Sequence, residues 1–223
     1  MRWIVPVLSL ACTALAQTPM DIQPVKQLVR GNSLATCGYT PLEREAPFLK
    51  SLPAKEQITG SFMRPYTIFG KKGKTVSWFG VLRGISASGG HLTLLIEHKY
   101  FDGMTDCHIM LVSHAGGGDF QAALEADPKN LPALSLVRVY GTVKEETGKI
   151  PLVAVDYLRV WPWFTFTFTD LGAEDLTNPR WVKYCNLCKY GHIYKPYPNE
   201  DYYLGMLGDP AEFGLALKSW EPR

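Results

Sequence analysis

Two cysteines with a histidine close behind them lie near the end of the chain, in the stretch YCNLCKYGH at 184–192. The spacing of Cys185, Cys188 and His192 is compatible with four kinds of site. It could hold zinc, attach a haem, cycle as a redox dithiol, or form disulfide bonds that staple a loop. Each alternative predicts a different protein, so the rest of the sequence has to discriminate among them.

The haem, dithiol and zinc alternatives all lack a part of their usual pattern. Covalent haem attachment requires C-x-x-C-H, because the adjacent histidine is the axial ligand, and Lys189 occupies that place. A thioredoxin-like dithiol lies where a strand enters a helix of a βαβ unit, whereas this pair stands in a proline-rich tail. Zinc would need two further ligands, with His192 and Cys37 as scattered candidates. Disulfide bonding is therefore the leading interpretation.

Two histidines that flank FDGMTD at 101–106, His98 and His108, are candidates for a second metal site. If this stretch is a turn centred on Gly103, His98 and His108 lie opposite each other on paired strands and point to one face. Two histidines with a nearby carboxylate can bind a transition metal. The alternative is that both histidines complete an apolar core face, and a register shift of one residue would separate them.

The first residues, MRWIVPVLSLACTALAQ, have the composition of a secretory signal peptide. A single positive charge at Arg2, an apolar run and small residues at Ala14 and Ala16 predict a signal over 1–16 and cleavage before Gln17. The exported chain is expected in the periplasm or outside the cell. Lipidation of Cys12, which would make an outer-membrane lipoprotein and permit membrane association, is the alternative, although Ser9 stands where such sites prefer leucine.

Export places the remaining cysteines in an oxidising compartment, where disulfide bonds are expected. The candidates are Cys37, Cys107, Cys185 and Cys188. Four cysteines allow three pairings, which the sequence does not distinguish. The formal net charge of +2 includes Arg2, so the mature chain is nearly neutral. This charge argues against nucleic-acid binding, which calls for an excess of lysine and arginine.

The middle of the chain is expected to be mainly β. Strands are predicted at 75–85, 92–100, 107–114, 134–143 and 150–161, forming three hairpins around the turns SASGG, FDGMTD and KEETGK. An alanine-rich run after Asp119 predicts a short helix that ends before Pro128, with Asp119 as N-cap. Three strands, a helix and two strands is the order of a five-stranded OB-like Greek-key barrel with a short helix between strands three and four.

Irregular extensions flank this predicted barrel, which we assign to residues 61–164. An N-terminal arm at 17–60 contains only short helical possibilities, such as REAPFLKSL, and is expected to wrap over the barrel. A C-terminal extension at 165–223 begins with the alternating stretch FTFTFT at 164–169, which is typical of a strand with one apolar face. It is expected to pack on the barrel, since a second independent domain is unlikely at this length.

Three segments of the predicted barrel resemble the starvation-inducible outer-membrane lipoprotein (Slp) family of bacterial envelope proteins. They are VSWFGVL at 76–82, LVRVYGTV at 136–143 with the GKI that follows it, and VDYLRVWP at 155–162. The resemblance covers about residues 76–162 and implies an exported envelope protein with an OB-like barrel and no established catalysis. It supplies no functional residues, and this chain differs from the family in its residues around Cys12 and in its C-terminal extension.

No catalytic motif, such as G-x-S-x-G or H-E-x-x-H, occurs in the chain. We therefore expect a non-enzymatic binding or structural module without a cofactor, which engages an envelope protein or a glycan. On the usual OB binding face, Trp78, Arg83 and Tyr140 are the candidate ligand contacts, although burial of either aromatic ring in the core is the simpler expectation. The alternative function is a metal or redox protein that uses Cys185, Cys188 and His192, or His98 and His108.

Overall fold

The computed structural model describes residues 16–23, 41–57, 66–104, 110–112, 115–146, 150–163, 165–168 and 216–222, to which all structural statements refer. The protein is mainly β within these ranges. Nine strands are described: β1 Met20–Ile22, β2 Thr75–Ser88, β3 His91–His98, β4 Phe101–Met104, β5 Met110–Val112, β6 Gly118–Glu125, β7 Leu136–Glu145, β8 Leu152–Trp161 and β9 Phe166–Phe168. Two short helices, α1 Ala46–Ser51 and α2 Ala54–Gln57, precede β2. In the described ranges, no helix has the length and apolar character needed to cross a membrane.

Two of the three predicted hairpins are confirmed. β2 and β3 are joined by Gly89 and Gly90, whose φ angles of 59° and 87° match a type I′ turn, the two-residue turn whose twist suits a hairpin. β7 and β8 pair in antiparallel fashion over their whole length. In both cases a run of β-branched and aromatic residues is followed by glycine-containing turn residues, so the local sequence was sufficient to predict the pairing.

Five strands form a closed ring of backbone pairings. β2 pairs with β3 and β7, β3 pairs with β6, and β8 pairs with β7, all in antiparallel fashion. A parallel pairing of β6 with the first residues of β8, 152–154, closes the ring. The short β1 pairs in parallel with the last part of β8, at 158–160, and so uses the portion of that edge that β6 leaves open.

The ring encloses the main hydrophobic core. Alternate residues of each strand point inward, as a pleated strand requires, and Trp78 and Phe120 are the largest of them, in edge-to-face contact with ring centroids 5.1 Å apart. The fully buried members of this core include Val76, Leu82, Leu94, Ile96, Val139, Val153, Leu158 and Val160. These residues account for the apolar periodicity that the sequence shows in β2, β3, β7 and β8.

The predicted helix after Asp119 is wrong, because residues 118–125 form strand β6. Phe120, Ala122 and Leu124 alternate into the core and lie opposite the inward residues of β3. The alanines favoured a helix locally, but pairing along β3 buries the same side chains with period two, and tertiary context overrides a weak propensity. The connection to β7 holds only one 3-10 turn, Pro128–Asn130, whose N-cap is Asp127.

The predicted second hairpin is also wrong. β3 pairs with β6 and β2, and FDGM at 101–104 is itself a strand, β4, paired with β5. β4, β5 and β9 form a separate three-stranded sheet, in which β9 confirms the predicted alternating strand. Consequently the two cross-strand neighbours of His98 are Gly80 and Gly118, and neither is residue 108.

Two elements cover the outer surface of β2, β7 and β8. The small sheet contributes Val112 and Phe166 to a second apolar cluster with Phe79, Leu136 and Trp161. At the other end, Phe48 and Leu49 of α1 and the following Leu52 pack against Tyr140 and Tyr157, and the Phe48 and Tyr157 rings stack at 5.1 Å. On the outer side of β2, β3 and β6, the short C-terminal segment 216–222 contacts β2 and β6.

Candidate binding site on the outer face of β2, β3 and β6

A β-bulge in β2 creates the first feature of this face. The register of β2 against β3 passes from Leu82 opposite Ile96 to Gly84 opposite Leu95, so Arg83 is the extra residue. A bulged residue leaves the regular hydrogen-bond ladder. The carbonyl oxygen of Arg83 is therefore free to accept a hydrogen bond from outside the sheet, and it accepts one from the backbone N–H of Lys218 at 2.7 Å.

Two cations share one carboxylate beside the bulge. Arg83 Nη1 lies 2.7 Å from Glu97 Oε2, and Lys99 Nζ lies 2.7 Å from Glu97 Oε1. Both cations are buried, with 8% of Arg83 and 1% of Lys99 exposed. Burial alone would raise the pKa of Glu97, but Lys99, Arg83 and Lys218 together hold that pKa below its ordinary value. Glu97 is thus ionised and fixes both cations in place.

The C-terminal segment 216–222 crosses this charged face. Arg83 Nε donates to the carbonyl oxygen of Ala216 at 2.9 Å, so the bulged residue contacts the segment through both its main chain and its side chain. Lys218 Nζ reaches β6 and lies 3.1 Å from Asp119 Oδ2. The segment thereby joins two strands that are not neighbours in the ring.

Trp220 is seated over Gly84. A Cβ atom built on Gly84 would lie 2.0 Å from Trp220 Nε1 and 2.3 Å from Cδ1, so the indole occupies the space that any other residue would fill. The indole N–H is buried, and within the described ranges it has no hydrogen-bond acceptor. Glycine at this position is a requirement of the close approach of the ring.

The structure does not bring the three predicted ligand residues together. Arg83 belongs to this face. Trp78 points into the core, where its indole N–H donates to the Tyr66 hydroxyl at 3.3 Å. Tyr140 is buried beneath α1 and donates to Glu45 Oε1 at 2.6 Å. Ligand binding by Trp78 and Tyr140 stays a prediction, and it would require the elements that cover them to move.

His98 is the one predicted metal ligand that the structure describes. It is fully buried, its Nδ1 accepts from the Gly117 N–H at 2.9 Å, and no described residue accepts a hydrogen bond from its Nε2. The rings of Tyr66, Trp78 and Tyr100 surround it. Burial, with a smaller contribution from the Lys99 charge, lowers the pKa of His98 to about 3. The imidazole is therefore neutral, with Nδ1 as an acceptor.

The other predicted ligands and disulfide partners lie outside the described residues: Cys37, Cys107, His108, Cys185, Cys188 and His192. The alternative lipidation site, Cys12, also lies outside them. Their pairing and any metal they bind stay predictions. Within the described ranges, no group of three or more histidine, cysteine, aspartate or glutamate residues is placed to hold a metal ion.

A second polar cluster ties the segment before β2 to the core. The Tyr66 hydroxyl donates to Glu56 Oε2, and Lys71 Nζ lies 2.9 Å from Glu56 Oε1 and above the Tyr66 ring. Burial and the hydrogen bond to Glu56 raise the pKa of Tyr66. For Lys71, burial acts to lower the pKa, but its contacts with Glu56 and Tyr66 outweigh that effect and raise it. A tyrosine with a raised pKa is no activated nucleophile, so this cluster acts as a structural clamp.

Sequence reasoning missed most of the face. Glu97, Asp119, Lys218 and Trp220 were not candidates, and Asp119 was interpreted as a helix N-cap. The outward positions of β3 do alternate with its apolar ones, which marks Glu97 as facing away from the core. No comparable signal links residues 216–222 to the strands, because the contacts are made across 99 or more positions of the chain.

The face is suited to binding. The cations beside Glu97 hold its pKa below the ordinary value, so this carboxylate is a weak proton acceptor. The main-chain carbonyl, paired charges and slot for an aromatic ring on this face are instead suited to recognising polypeptide groups. The chain matches no family model and no curated protein.

Proposed function

We propose that β2, β3, β6, β7 and β8 form an OB-like barrel, in that order as its strands one to five. The closed ring of pairings supports this assignment, since in it strands three and five run parallel and the fourth strand lies between the fifth and the first. The 3-10 turn Pro128–Asn130 stands where the short helix of an OB fold connects strands three and four.

We further propose that this barrel is an exported, non-catalytic binding or structural module of the bacterial cell envelope. The predicted signal peptide and the resemblance to the Slp family support export. The observation that carries a binding role is the charged face around Arg83, because it lies on the first three strands, whose outer side includes the usual ligand face of OB barrels. Its partner is a protein or a glycan.

The charge pattern favours these partners over nucleic acid. The net charge is only +2, and each of the three cations on this face forms an ion pair with Glu97 or Asp119. A phosphate backbone is bound through unmatched lysines and arginines, whose counterion release provides most of the affinity. One fold can serve many functions. The proposed binding role is therefore based on the charged face around Arg83 and not on the barrel fold.

Two measurements test the proposal. First, the chain is expressed in a bacterium with its leader and its intact mass is determined in the cell fractions. We expect a product that begins at Gln17, in the envelope fraction, with four oxidised cysteines and no metal. An uncleaved cytoplasmic product would contradict export. Free thiols with stoichiometric zinc, or an added haem mass, would favour the metal or redox alternative at Cys185, Cys188 and His192.

Second, a photo-crosslinking amino acid is placed at Thr93, an outward and half-buried position of β3. We expect crosslinking to an envelope component that is lost on Glu97→Gln and Asp119→Lys. The same crosslinker at Ser88, the exposed end of β2, is the matched control. A pattern of crosslinks unaffected by either substitution would refute binding at this face.

A further inference from the structure

The C-terminal segment engages the barrel through alternate residues. Ala216, Lys218 and Trp220 make the contacts with β2 and β6, while Leu217 between them is 56% exposed. Contacts with a spacing of two residues are typical of an extended chain lying along a surface. The face therefore binds three groups that are spaced regularly along the segment. They are a backbone carbonyl, a cation two residues later, and an aromatic ring two residues after the cation.

Each of the three positions has a defined receptor in the barrel. The carbonyl of residue 216 is held by Arg83 Nε, and the next contact, the N–H of Lys218, is held by the bulged carbonyl of Arg83. The cation is held by Asp119, and it also lies close enough to Glu97 to lower the pKa of that carboxyl. The ring is held over Gly84. Main-chain hydrogen bonds with pockets for alternate side chains are the usual way in which a sheet binds an extended peptide.

The chain's own segment fits this receptor imperfectly. The indole N–H of Trp220 is buried without an acceptor among the described residues, and an unsatisfied buried donor opposes binding. The ion pair of Lys218 with Asp119 is solvent-exposed, at 40% and 30% of the two side chains, and contributes little. A segment with phenylalanine or tyrosine over Gly84 would keep the ring contact and would not bury the unsatisfied indole N–H.

From these contacts we propose that the outer face of β2, β3 and β6 binds an extended peptide segment of a partner protein, in which a lysine or arginine stands two residues before a phenylalanine or tyrosine. Residues 216–222 occupy the same site in cis and are displaced by the partner. This inference rests on the proposed binding function and deepens it by choosing a polypeptide over a glycan.

The test uses the labelled peptide ALKSFEP, which is residues 216–222 with phenylalanine in place of the tryptophan, and measures its fluorescence anisotropy with the full chain. The variant Trp220→Ala should bind the peptide roughly tenfold more tightly than the wild type, because a tethered competitor acts at an effective concentration of order millimolar. In the Trp220→Ala background, Gly84→Ala should weaken binding by about tenfold, since its methyl group fills the ring slot. Ser88→Ala is the matched control and should change nothing.

Sheet content and a single thermal transition establish that each variant folds. If Trp220→Ala does not fold, Lys218→Glu releases the segment instead, because it places a third carboxylate beside Asp119 and Glu97. Absence of saturable binding at millimolar peptide, or binding that Gly84→Ala leaves unchanged, overturns the inference. If the peptide fails while Thr93 still crosslinks to a partner in a face-dependent way, the binding function stands and only the peptide class is wrong. If the peptide does not bind and Thr93 does not crosslink in a face-dependent way, the proposed binding function is wrong as well.

Discussion

The buried histidine in the core makes the stability of this protein depend on pH in a specific way. Burial holds the pKa of His98 at about 3, compared with an ordinary value of 6.5. Below pH 6.5 the unfolded chain therefore binds a proton that the folded chain does not bind. The contribution of this group to stability is complete above pH 6.5 and is lost progressively as the pH falls towards 3.

The size of the effect follows from the two pKa values. Each unit of pH between them costs about 1.4 kcal/mol of unfolding free energy, so acidification from pH 7.5 to pH 5 removes about 2 kcal/mol through His98. The substitution His98→Asn keeps an acceptor near the position of Nδ1 for the Gly117 N–H but cannot titrate. It lowers stability at every pH through the lost volume, and it removes this pH dependence.

Urea unfolding at pH 7.5, 6 and 5, followed by tryptophan fluorescence, measures the unfolding free energy of both proteins under the same conditions. We expect the difference in unfolding free energy between wild type and His98→Asn to be about 2 kcal/mol smaller at pH 5 than at pH 7.5. Ile96→Val, a buried and non-titrating change on the same strand, is the control and should lower stability equally at each pH. A difference that stays constant within about 0.5 kcal/mol, the usual limit of additivity, would refute the reasoning.

Three further substitutions test other parts of the structure by urea unfolding. Glu97→Gln removes the carboxylate that the buried Arg83 and Lys99 side chains share and should cost about 2–3 kcal/mol, whereas a loss below about 0.5 kcal/mol would mean that the cluster is solvated. Phe48→Ala removes the ring that stacks on Tyr157 at 5.1 Å and should cost about 2–3 kcal/mol, with no loss if α1 does not dock on the barrel. Asp127→Ala removes the acceptor for the Lys129 N–H and should cost about 1 kcal/mol, while Asp127→Asn should retain most of it.

The sequence alone was sufficient for the elements whose signals are local. β2, β3, β7 and β8 are runs of β-branched and aromatic residues, and the turn at Gly89 and Gly90 specifies the first hairpin directly. α1 was expected from its short helical pattern, and its bounds, Ala46–Ser51, lie within the stretch named. Each of these elements is decided by residues within a few positions of one another.

Only the tertiary structure decides the features that depend on residues far away in the sequence. The segment 118–125 carries alanines that favour a helix, yet it is a strand because β3 on one side and β8 on the other supply hydrogen-bonding partners and a core to face. His98 was assigned to a pair with His108 because the sequence showed two neighbouring strands. The structure instead sends β4 to a separate sheet and places His98 between Gly80 and Gly118.

In the candidate site, too, some features were evident from the sequence and others depend on distant contacts. Arg83 was a candidate from its type and its strand, but the groups that give it a role, Glu97, Asp119 and Lys218, are on other strands or at the end of the chain. A bulge frees its carbonyl, and a glycine beside it admits the Trp220 ring. Hydrophobic alternation specifies which residues face inward, since burial has a period along each strand. It does not specify which outward residues meet, because that depends on the register between strands and on long-range closure of the chain, which leave no periodic trace in the sequence.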